Sequence, residues 1–130
     1  MGYAVNEMIE KIEQQLNLYK WEKNGDGAFE IELPVVLYFN YQRLNLTVTP
    51  IGDGYFVSDD GNTFCEHSKE PEYYLSLFDE KDENFHYGIS LQNGLICKRY
   101  DCDFALTSAI DEFIRFFIFL DIFMGKNDLV

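Results

Sequence analysis

Two neighbouring carboxylates before a glycine, Asp59-Asp60-Gly61, are the sharpest chemical feature of the chain. Hard divalent cations take carboxylate oxygens, so this run offers a metal site, and with it a metal-dependent hydrolase or a small-ligand-binding domain. The competing reading is a turn in which Asp accepts backbone N–H groups and Gly supplies positive φ. Adjacent side chains on a strand point to opposite faces, which favours the turn over the chelate. A second run imitates a calcium loop. Glu22, Asn24, Asp26 and Gly27 occupy its first, third, fifth and sixth positions, but Leu33 stands where a bidentate Glu closes the loop. No metal and no cofactor is therefore assigned.

Cys65, His67, His86, Cys97 and Cys102 carry the atoms for a zinc site, yet their spacing fits no common zinc pattern. Cys102, flanked by Asp101 and Asp103, is poorly placed as a nucleophile. Phosphate loops, nucleophile elbows and HExxH pairs are missing from the sequence. No catalytic residue is assigned, and the balance leans away from an enzyme.

Charge is the stronger signal. Asp and Glu number 23 against 10 Lys and Arg, a net charge of -13. Such a chain repels nucleic acid phosphate and anionic membrane, so neither is expected as a direct partner. A basic protein surface is the expected partner. Between residues 53 and 83 ten acids face two bases, Lys69 and Lys81. The candidate partner-binding face is Asp59, Asp60, Glu66, Glu70, Glu72, Asp79, Glu80, Asp82 and Glu83. A solvated helix with its loops would account equally for these charges.

The elements that position these residues follow from periodicity. Val5, Met8, Ile9, Ile12, Leu16 and Tyr19 form one helical stripe, which the run Asn24-Gly25-Asp26-Gly27 ends. Phe29, Ile31 and Leu33 alternate with Glu30 and Glu32, with Pro34 marking a bulge or a strand start. Leu44, Leu46 and Val48 alternate with Asn45, Thr47 and Thr49. Gly52-Asp53-Gly54 turns the chain into a third strand at residues 55–58, completing an antiparallel meander. Pro71 opens a middle helix striped by Tyr74, Leu75 and Phe78. Asn93-Gly94 joins a hairpin. A long last helix, capped by Asp101 or Asp103, carries Phe104, Ala109, Ile110, Phe113, Ile114, Phe117 and Leu120. The expected class is α+β, a single domain over residues 1–130: a mostly antiparallel sheet, a meander plus a hairpin, with N-terminal, middle and long C-terminal helices packed on it.

The last helix is apolar around nearly its whole circumference between Phe113 and Phe123. One stripe suffices for packing on a sheet, so the surplus predicts an interface through Phe116, Phe119 and Phe123, and a homodimer. Cover by the N-terminal helix is the competing use of that surface. Residues 1–10 have no basic or long apolar stretch, so no secretory leader is expected. Three cysteines without a CxxC pair fit reduced thiols, and the expected location is cytoplasmic.

Residues 54–63, Gly-Tyr-Phe-Val-Ser-Asp-Asp-Gly-Asn-Thr, resemble the signature of a bacterial and phage family, the domain-of-unknown-function family numbered eighteen twenty-eight. Tyr87-Gly88-Ile89 and the closing helix follow in the family's order, so the likeness runs from about Leu33 to about Met124. Where that family carries an acid near the start of the second strand, this chain has Tyr41-Gln42-Arg43-Leu44. The resemblance implies a bacterial or phage origin and no reaction. The expected function is a non-catalytic interaction protein that binds or inhibits a basic, nucleic-acid-binding type of partner. It would serve as an anti-defence, immunity or regulatory factor.

Overall fold

The computed structural model describes residues 5–17, 19–25, 27–37, 43–60, 87–92 and 95–126. Helix α1 covers Val5–Gln15, and strands β1 to β4 cover Lys20–Lys23, Phe29–Val36, Arg43–Ile51 and Gly54–Ser58. Strands β5 and β6 cover Ser90–Gln92 and Leu95–Asp101, and helix α2 covers Leu106–Lys126. The six strands form one sheet in the order β1-β2-β3-β4-β6-β5, antiparallel at every pairing. The chain is α+β, as its periodicities imply. The expected middle helix falls outside the described residues.

Period-two alternation sets which face each strand buries. Phe29, Ile31, Leu33, Leu44, Leu46, Val48, Tyr55, Val57, Ile96 and Tyr100 are buried in one cluster with Ile12 of α1, Leu16 just past its end and the apolar stripe of α2. Both helices thus cover one face. Glu30 and Asn45 project from the other face into solvent, with Thr47 half-buried between them. The register slips between Glu32 and Val36, so the bulge falls at Pro34, which has no N–H to give the ladder.

Two local expectations are corrected. The helical stripe does not run on through Tyr19 to the glycines. Helix α1 stops at Gln15, and Lys20 to Lys23 become an edge strand against β2, fixed by Trp21 on Phe29 at 5.5 Å between ring centroids. The glycine run is therefore a hairpin turn: the Asn24 N–H donates to the Ala28 carbonyl at 2.8 Å, and Gly27 takes φ +90°. Glu22 is consequently a strand residue and Leu33 a core residue, so the calcium-loop pattern is coincidental.

The second correction concerns the cap of α2. Asp101 ends β6, and the helix begins only at Leu106. Its first N–H is taken by Gln15 Oε1 at 2.6 Å, a cap supplied by the other helix. Phe104 is held ahead of the helix because its carbonyl accepts the Tyr55 hydroxyl at 2.7 Å. Gly54 opens β4 where any Cβ would collide with the Tyr100 carbonyl, so strands β4 and β6 meet closely only because the position is glycine.

Candidate functional site

The open sheet face holds a cleft of about 330 Å³ whose lining includes Lys20, Glu22, Glu30, Glu32, Asn45, Thr47 and Asp60. Register builds it. Lys20 lies opposite Glu32, Glu22 opposite Glu30, Glu30 opposite Thr47 and Glu32 opposite Asn45, so these side chains share one face. Glu32 is neutralised twice, by Lys20 at 3.2 Å and Arg43 at 3.3 Å. Glu22 and Glu30 have no ion-pair partner among the described residues. Like charges directly opposite each other weaken a sheet, so this pair opposes folding stability.

The two aspartates of the Asp-Asp-Gly run part company. Asp59 is buried, its Oδ1 accepts the Ile96 N–H at 3.0 Å, and its own N–H donates to the Ile96 carbonyl at 3.1 Å. It extends the β4–β6 ladder and is no part of an exposed acidic face. Asp60 is exposed, takes φ +56°, and gives its N–H to Ser58 Oγ at 3.3 Å. That is the turn chemistry expected of an Asp in the left-handed region. Glu66, Glu70, Glu72, Asp79, Glu80, Asp82 and Glu83 lie outside the described residues, as do Cys65, His67 and His86. Cys97 is buried opposite Ser58, and Cys102 is half-buried. Among the described residues no three His, Cys, Asp or Glu side chains converge as metal ligands.

On the helix-covered side a polar cluster ties sheet to helix. Lys98 Nζ donates to Glu112 Oε1 at 3.0 Å and to the Tyr87 carbonyl at 2.5 Å, and it sits 4.6 Å from the Tyr100 ring centroid. The Tyr100 hydroxyl donates to the same Glu112 oxygen at 2.9 Å. Burial, then the hydrogen bond and charge of Glu112, push the Tyr100 phenol pKa far above its ordinary range. Burial, then the Glu112 charge, raise that of Tyr55. Beside the cluster, Arg115 pairs with Asp111 at 2.9 Å. Asp111 first, then the Tyr87 phenol, hold the guanidinium pKa above its ordinary value.

On α2 the expected interface is corrected in part. Phe116 is 1% exposed and packs edge-on against Phe117 at 5.4 Å, because it lies three residues beyond core residue Phe113 on the same stripe. Phe119 is 54% exposed, flanked by Ile118 at 45% and Ile122 at 62%. The Phe123 side chain lies outside the described set. Helix α1 contacts both β3 and α2, which accounts for part of the apolar surplus. No helix among the described residues is long and apolar enough to cross a membrane.

The opposed Glu22 and Glu30 have no local signature, because Lys20–Lys23 follows a helical stripe and carries no strand pattern of its own. The alternation of Glu30 and Glu32 was the only available signal. The Lys98–Glu112 pair joins residues fourteen apart in sequence and has no local signature. No family model matches the chain, and no curated protein and no solved structure matches it.

Proposed function

We propose that the protein is a non-catalytic interaction factor whose acidic sheet face docks on a basic protein surface. The observation that carries this is the Glu22–Glu30 pair. Two carboxylates without ion-pair partners among the described residues face each other across β1 and β2, with Asp60 on the same cleft, in a chain of net charge -13. A basic partner relieves their repulsion, which gives the arrangement a use in the complex that it lacks in the free chain. The sequence from Asp53 to Glu83 is also rich in acids, ten against two bases. The likeness of residues 54–63 to a bacterial and phage family fits a bacterial or phage origin, and the small size and acidic charge support an anti-defence, immunity or regulatory role in a cytoplasm. The alternative built on Asp59 and Asp60 as a metal pair loses force, since the Asp59 carboxylate already serves the Ile96 N–H.

The test is affinity capture at low and high salt with the natural chain and a Glu22→Lys, Glu30→Lys, Asp60→Lys variant. A basic protein held by the natural chain, released by salt and lost by the variant supports the reading. Binding indifferent to both salt and charge reversal refutes it. A second surface belongs to the same reading. Ile118, Phe119 and Ile122 form an exposed apolar stripe, and two copies meeting there about a two-fold axis would cover it.

A further inference from the structure

A depression of about 450 Å³ lies between the turn at Tyr87 and Gly88 and the early turns of α2. Tyr87, Thr107, Ser108, Asp111, Glu112 and Arg115 line it. It is on the helix-covered side of the sheet, away from the acidic cleft, and its volume is in the range of small-molecule sites.

Three observations define what it would take. First, Glu112 meets both internal donors, Lys98 and Tyr100, with Oε1. Its Oε2 has no partner among the described residues, while the two donors fix the carboxylate in place. That is a positioned acceptor for an ammonium group. Second, Arg115 lies three residues further on, one helical turn away, and among the described residues it is held by the exposed Asp111 pair and sits beside the Tyr87 phenol. Exposed pairs open readily, so the guanidinium is available to a carboxylate. Third, Tyr87 adopts φ +54°, rare for an aromatic residue, and Gly88 follows at φ +77°. Lys98 maintains this by binding the Tyr87 carbonyl while its side chain packs under Gly88. Strain of this kind concentrates at ligand-binding positions, and here it sets an aromatic side chain at the rim.

The depression is lined by Asp111 and Glu112 against Arg115, and Lys98, bound to Glu112 behind the lining, brings the local charge to balance. In a chain of net charge -13, such a balanced island favours neither a lone cation nor a lone anion. We propose that it binds a small zwitterion of the α-amino-acid class, its ammonium on Glu112, its carboxylate on Arg115 and its side chain against Tyr87.

The experiment is a calorimetric or NMR titration of the whole chain with L-phenylalanine, N-acetyl-phenylalanine and phenylalaninamide. The expected result is saturable millimolar binding of the free amino acid, with each blocked analogue about tenfold weaker or worse. Arg115→Gln, an exposed change, should remove the preference for phenylalanine over its amide. Glu112→Gln should remove the preference over the N-acetyl form. Equal affinity for all three compounds, no saturable binding of the free amino acid, or an unaltered preference in Arg115→Gln would overturn the proposal. The acidic-face reading does not depend on the outcome.

Discussion

Asp59 shows how a residue suited to chemistry becomes structural. Its carboxylate completes the ladder at Ile96, so removing it orphans a buried N–H. Asp59→Ala should cost about 1–3 kcal/mol in urea unfolding, the usual cost of an unmet buried donor. Asp59→Asn keeps an acceptor and should cost clearly less. Equal losses would show that charge, not the hydrogen bond, is what the site uses. The buried phenols give a pH signature. Tyr55 and Tyr100 have pKa values raised above the ordinary 10.0, so the folded state favours their protonated forms. Their stabilising contribution is complete below about pH 10 and is lost as pH rises beyond it. Phenolate absorbance should therefore show these two tyrosines ionising only together with cooperative alkaline unfolding. Independent titration of all nine tyrosines near their ordinary value would contradict the buried geometry.

At the scale of elements, α2 divides its aromatic residues by direction. Phe116 is enclosed beside Phe117, so Phe116→Ala should cost about 3–5 kcal/mol through transfer and cavity terms. Phe119→Glu with Ile122→Glu changes exposed positions and should leave the melting temperature nearly unaltered. In sedimentation, the natural chain should run as a dimer at micromolar concentration and this double variant as a monomer. A monomer for the natural chain would remove the self-association reading. Net charge -13 repels a second copy, so added salt should strengthen the dimer while it weakens attachment to a basic partner. The same scale explains why α2 needs α1. The N–H of Leu106 is capped by Gln15, so the two helix ends are fixed by one hydrogen bond.

For the whole molecule, charge and topology act together. The sheet places Glu22, Glu30 and Asp60 around one cleft, and the prediction at this scale is kinetic. Association with a basic partner should slow steeply with salt, and the triple charge reversal should remove that slope while circular dichroism stays native. The amino-acid sequence by itself determined the α+β class, the inward set Leu44, Leu46 and Val48, a break in pattern at Pro34 that the sheet register resolves as a bulge, and the acidic balance. These follow from period and composition, which are local properties of the chain. The tertiary structure alone decided that Lys20 to Lys23 form an edge strand, that Phe116 turns inward, that Gln15 caps α2, and that Lys98 meets Glu112. A four-residue segment has no periodicity long enough to separate strand from helix, so pairing with Phe29 to Glu32 settles it. A helix apolar on all sides does not say which side is covered, and a contact between distant residues leaves no pattern along the chain. Only the folded arrangement of sheet and helices supplies those neighbours.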